Sequence, residues 1–133
     1  MFTGFIRGFG LKAGAIAFSA TWDSADIVVV GADDGDMATA VNRVCELSGG
    51  AVICGHGSIV GELPLPVFGV ISDFSLKEIA KKTRVLNREA KKLGVLLPDP
   101  FLTLATLTTA AIPFFRICEE GYVRLKDGRR VGL

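Results

Sequence analysis

Residues 27–63 read IVVVG, ADDGDMATAVNRVCELSGG and AVICGHGSIVGEL in succession. Ile27–Gly31 is a β-branched run suited to a buried strand. Asp33-Asp34-Gly35-Asp36 then opens a helix, because an aspartate caps its free amides and the further carboxylates suit the positive end of its dipole. Met37, Ala40, Val41, Val44, Cys45 and Ser48 recur at three- and four-residue spacing and give that helix an inward face. Gly49-Gly50 ends it. Ala51–Cys54 and Ser58–Leu63 follow as a hairpin around Gly55-His56-Gly57, and Pro64 and Pro66, which offer no amide donor, stop the ladder. A strand, a helix and then two strands joined directly break the regular alternation that a parallel α/β fold needs.

Working outward, Gly4–Phe9 and Gly14–Ala20 read as two short strands around a Gly10-Leu11-Lys12 turn. Towards the C-terminus a second helix starts at Ser75, with Glu78 completing a capping box and Phe74 facing Ile79 as a hydrophobic staple. Leu76, Ile79, Ala80, Thr83, Leu86, Ala90 and Leu93 form its inner stripe, and Gly94 closes it. Leu102–Ala111 is ambiguous, Phe114–Cys118 reads as a strand and Tyr122–Val131 as a short terminal hairpin. The expected architecture is α+β, a mixed, largely antiparallel sheet with two main helices packed on it, with residues 1–133 forming a single domain.

Half of the 133 residues are hydrophobic, 22% are charged and the mean hydropathy is +0.45, a composition that excludes a disordered chain. The apolar excess implies surface buried against another chain or domain. Residues 1–75 carry 3 basic and 8 acidic side chains, and residues 76–133 carry 12 and 6, so the near-neutral total conceals two oppositely charged halves. That asymmetry suits head-to-tail or domain–domain complementarity, whereas the total argues against nucleic-acid binding. Lys77, Lys81, Lys82, Arg84, Arg88, Lys91 and Lys92 read as the solvated face of the second helix, without interleaved aromatics for base stacking. Ala13–Ala20 after Arg7 and Lys12 faintly mimics a signal peptide, and Phe101–Phe115 is free of charge but too short to span a bilayer. Both read as core, so no membrane partner and a cytoplasmic location are expected. Cys45, Cys54 and Cys118 are odd in number, form no CxxC pair and read as buried reduced thiols.

The chemistry-bearing motifs are few. Gly8-Phe9-Gly10-Leu11-Lys12-Ala13-Gly14 is one residue off a dinucleotide fingerprint, but a strand-like segment follows where that motif needs a helix, so a turn with glycines at positive φ fits better. Asp23, Asp26, Asp33, Asp34 and Asp36 could offer oxygen ligands to a divalent cation, yet their spacing matches no EF-hand loop and helix capping accounts for the last three. Trp22-Asp23-Ser24-Ala25-Asp26 lies between two strands, where binding residues collect, although Asp and Ser are also ordinary turn residues. The lone His56 sits in a turn and completes no Ser/His/Asp or Cys/His set.

The order of motifs carries a resemblance. Gly8–Ala17, Asp23-Ser24, Ile27–Gly31, Asp36-Met37-Ala38 and Ala40-Val41-Asn42 are similar to the C-terminal domain of microbial adenine deaminases. The likeness runs on through Gly49-Gly50, Glu62-Leu63-Pro64-Leu65-Pro66, Gly69, Ser72-Asp73, Leu86-Asn87 and Pro98-Asp99-Pro100-Phe101, ending near Thr103-Leu104 and Ile112-Pro113. The resemblance implies enzymes that hydrolyse adenine to hypoxanthine and ammonia at a divalent metal, such as manganese or iron, inside an amidohydrolase barrel. That barrel has no counterpart here, so no cofactor and no catalytic residue are expected in this chain. Where the family reads His-Asp-Ser-His-Asn, this chain has Trp22-Asp23-Ser24-Ala25-Asp26, and both imidazoles are gone. The resulting expectation is an accessory and assembly module, partnered by a barrel domain or by its own copy. Two alternatives stand beside it: a purine-binding domain in which Trp22 stacks the base while Asp23, Ser24, Ser72 and Asp73 line the pocket, and a subunit completing an active site with a separate barrel chain.

Overall fold

The computed structural model describes residues 3–24, 26–111, 114–118 and 121–131; Ala25 and Ile112-Pro113 of the motifs above lie outside them. Four strands, β1 (Ala15–Phe18), β2 (Val28–Gly31), β3 (Gly50–Gly55) and β4 (Ser58–Pro64), form a sheet in the order β2-β1-β3-β4, antiparallel throughout. Helix α1 (Asp34–Glu46) covers one face; α2 (Leu76–Lys92) and the short α3 (Pro100–Thr106) cover the other. A second antiparallel sheet joins β5 (Phe115–Cys118), β6 (Gly121–Arg124) and β7 (Arg129–Val131). The class is α+β, as the sequence indicates, with two antiparallel sheets and a third helix in the segment that the sequence leaves ambiguous.

Alternation along the strands divides the core in two. Ala15, Ala17, Val52 and Cys54 point to α1 and meet Ala40 and Val44. Ile16, Ala51, Ile53 and Leu63 point the other way, to Leu86, Ala90, Phe101 and Leu104. The central strands β1 and β3 therefore need apolar residues on both faces, which is why they read as continuous rather than alternating runs. Phe18 meets Phe101 edge-on, with ring centroids 5.4 Å apart.

The helix ends follow the sequence closely. Asp33 caps α1 by accepting the Asp36 amide, and Ser75 and Glu78 form the expected capping box on α2. Other expectations need correction. Gly4–Phe9 is not a strand, because both edges of β1 are already taken by β2 and β3. Instead Phe9 inserts into the core and the Lys12 amide donates to the Leu93 carbonyl. Gly10 and Gly14 do adopt positive φ (87° and 73°), and Gly14 leads into β1, not a helix. Cys45, expected to be buried, is exposed on α1, and Ser48 falls beyond the end of that helix and is exposed; Leu76 and Ala80 are exposed on α2. Among the described residues no helix is long and apolar enough to cross a membrane.

Register decides which loops meet. Phe18 pairs with Val28 and Ala51, and Gly50 pairs with Pro64. The β1–β2 loop, the α1–β3 connection and the segment after β4 therefore gather at one end of the sheet. Residues 10–14, the β2–α1 junction and the Gly55-His56-Gly57 turn gather at the other.

Candidate functional site

The β1–β2 loop is built from the inside outward. The buried Thr21 hydroxyl donates to the Asp26 carbonyl at 2.9 Å and to that of Ser24 at 3.1 Å, holding both to the end of β1. The Ser24 hydroxyl is used within that loop, 3.5 Å from the Asp26 amide that donates to it. The Trp22 amide donates to the Ala105 carbonyl at 3.0 Å, and the Thr108 hydroxyl donates to the Trp22 carbonyl. Asp23 adopts φ +60°, and one of its carboxylate oxygens, Oδ2, accepts from the Thr109 hydroxyl and from the Ala110 amide at 3.2 Å. The Thr109 hydroxyl above all, then the Ala110 amide, holds the Asp23 carboxyl below its ordinary range, with Arg116 adding a smaller attraction.

This junction joins residues 86 and 87 positions apart, and no spacing in the sequence announces Thr108, Thr109 or Arg116 as partners of the loop. It leaves two groups open: the Trp22 indole, 47% exposed, and the second carboxylate oxygen of Asp23, which accepts no hydrogen bond among the described residues. Asp26 Oδ2 and Arg116 Nε are buried, with no hydrogen-bond partner among the described residues.

Ser72 and Asp73 lie after β4, at the same end of the sheet. The Ser72 hydroxyl accepts the Phe74 amide at 3.3 Å in the approach to α2, and Asp73 is exposed. The two loops are fastened to one scaffold, since Ser19 at the end of β1 donates to the Gly69 carbonyl at 2.6 Å. No hydrogen bond or ion pair joins Ser72 or Asp73 to Trp22, Asp23 or Ser24 among the described residues.

The opposite end carries a carboxylate whose position the capping argument does not foresee. Asp36 is only 5% exposed: its Oδ1 accepts the Gly57 amide at 2.7 Å and the Cys54 thiol at 3.1 Å, while Oδ2 accepts the His56 amide at 3.2 Å. Those bonds, the thiol's first, hold its carboxyl below the ordinary range. Burial, with Asp36 next, pushes the Cys54 thiol up to about 11. Asp36 is thus a latch between α1 and the β3–β4 turn, beneath an open hollow of about 530 Å³ edged by Lys12, Asp33, Thr39 and His56. With its carboxylate committed to three donors, it is not available as a base.

Among the described residues no three or more His, Cys, Asp or Glu side chains converge as metal ligands.

Residues 1–129 match the family model of the adenine deaminase C-terminal domain. The chain is 43% identical over 129 residues to an adenine deaminase of Methylobacterium nodulans, covering 97% of this chain and 23% of that protein. It is similarly 43% identical over 130 residues to an adenine deaminase of Brucella abortus, and 41% identical over 133 residues to one of Kosmotoga olearia. This chain spans under a quarter of the length of these curated relatives, at 22–23%.

Proposed function

We propose a role from one premise: this chain belongs to the adenine deaminase C-terminal domain family. It serves as the accessory and assembly domain of an adenine deaminase and does not hydrolyse adenine by itself. The observation that carries this reading is coverage, since nearly the whole chain aligns while more than three quarters of each relative lies outside the aligned part. The hydrogen bonds of buried Asp36 support it, as both oxygens of that carboxylate already accept from the fold and it is not poised to exchange a proton with a substrate. The partner is the remaining part of a deaminase, and the reduced thiols fit a cytoplasmic protein.

The test is ammonia release from adenine. The purified chain, with or without manganese, should release none; turnover by the chain alone would overturn the reading. If ammonia release appears only after a separate barrel chain is added, the chain completes an active site instead.

A second reading, a purine-binding module, is favoured by the open Trp22 indole beside a carboxylate oxygen with no partner, because a flat amine-bearing heterocycle calls for a stacking face and an acceptor. Adenine would then quench the fluorescence of the sole tryptophan, and Asp23→Ala would abolish that quenching.

A further inference from the structure

The segment after β4 forms an arch whose geometry is unusual for its sequence. The Val67 amide donates to the Ile71 carbonyl, and the Val70 and Ile71 amides donate back to the Val67 carbonyl, each at 3.1 Å. At the tip Phe68 and Gly69 both adopt positive φ, 55° and 75°. Two successive left-handed residues are the preserve of Asn, Asp and Gly; a bulky aromatic there is an outlier. The strain has no return inside the domain, for Phe68 is 93% exposed and Val67, Val70 and Ile71 are exposed beside it. The arch is nevertheless held firmly. Ser19 binds the Gly69 carbonyl, the Leu65 amide donates to Gly49, and a Cβ on Gly49 would come within 2.3 Å of Gly69 Cα.

A strained backbone that displays an aromatic side chain to solvent, on a rigid base, is the form of a preorganised binding anchor. We propose that the Val67–Ile71 arch docks this domain onto the part of an adenine deaminase that the chain does not cover, with Phe68 entering an apolar pocket there. This rests on the accessory-domain reading above. The occupant follows from length: the relatives hold this domain in one polypeptide with more than three quarters of their residues outside it. It follows also from placement. The arch shares its end of the sheet with the Trp22–Ser24 loop, so docking through Phe68 brings that loop to the partner.

The test is site-directed photo-crosslinking of the full chain in its native cells. A benzophenone-bearing phenylalanine analogue replaces Phe68 or, at the opposite end of the sheet, the exposed Leu96. Adducts are identified by peptide sequencing. The proposal expects the Phe68 probe to join deaminase sequence outside the aligned part, and the Leu96 probe not to. With the probe moved to Ile71, Phe68→Asp should abolish the adduct and leave the melting temperature unchanged, since the side chain supports nothing in the fold. An adduct between two copies of this chain at position 68 overturns the proposal in favour of self-association. Adducts to a deaminase from Leu96 alone overturn the arch but keep the accessory reading. No deaminase adduct from any position overturns both.

Discussion

Asp23 and Asp36 are both held ionised by donated hydrogen bonds, and each ties a local element to a distant one. A carboxyl whose folded pKa is depressed contributes stability that is fully present above its unfolded value near 3.8 and is lost as pH falls through the lower folded value. The melting temperature should therefore stay level from pH 7 to about 5 and fall below about 4. Asp36→Asn should lower the melting temperature at pH 7 and flatten that acid dependence, because the amide keeps one acceptor oxygen and turns an N–H either to the His56 amide or to the Gly57 amide and Cys54 thiol. Asp34→Asn, on the exposed first turn, should do neither. A variant at position 36 with wild-type melting across this range would refute the latch. At Phe68 the strained backbone makes a different expectation: Phe68→Gly should be neutral or stabilising by up to about 1 kcal/mol in chemical denaturation, since glycine carries no left-handed penalty.

Among elements, α2 offers the sharpest contrast. Leu86 is almost wholly buried against the sheet, while Leu76, placed on the same stripe by periodicity, is 83% exposed. Leu86→Ala should cost about 2–5 kcal/mol in urea unfolding through lost burial and a residual cavity, whereas Leu76→Ala should stay within about 0.5 kcal/mol. Leu76 belongs to the first turn, one residue beyond the Ser75 cap, while the buried residues of the helix, Leu86 and Ala90, lie in its C-terminal half. Periodicity names a helix face, but not how far along the helix a partner extends. Between α1 and β4, Arg43 grips both oxygens of Glu62, at 2.7 and 3.1 Å, an ion pair that no local pattern in either element suggests.

For the whole molecule, the decisive measurement is calorimetric titration of adenine into the purified chain. The accessory reading expects no saturable heat up to about millimolar adenine, which corresponds to binding weaker than about −4 kcal/mol. Saturable one-to-one heat at micromolar adenine would instead make the Trp22–Asp23 surface a purine site. The two layers of helix around the sheet leave both outcomes open to the same fold, because the loops at the sheet ends, not the core, carry the difference.

The sequence by itself determined the elements whose causes are local. The capping box at Ser75 and Glu78, the Asp33 cap, the β-branched run of β2 and the Gly55-His56-Gly57 turn all follow from neighbouring residues. The order of its motifs also identified the family. Tertiary structure alone decided that β1 spends both edges on β2 and β3, leaving Gly4–Phe9 without a ladder, and that Asp36 reaches a turn 20 residues away. It alone fastened Asp23 to Thr109 and turned Val67–Ile71 outward. The physical reason is the range of the interactions: caps and periodicities act within a turn or two of chain, whereas register, burial and long-range hydrogen bonds depend on which distant segments the collapsed core brings side by side.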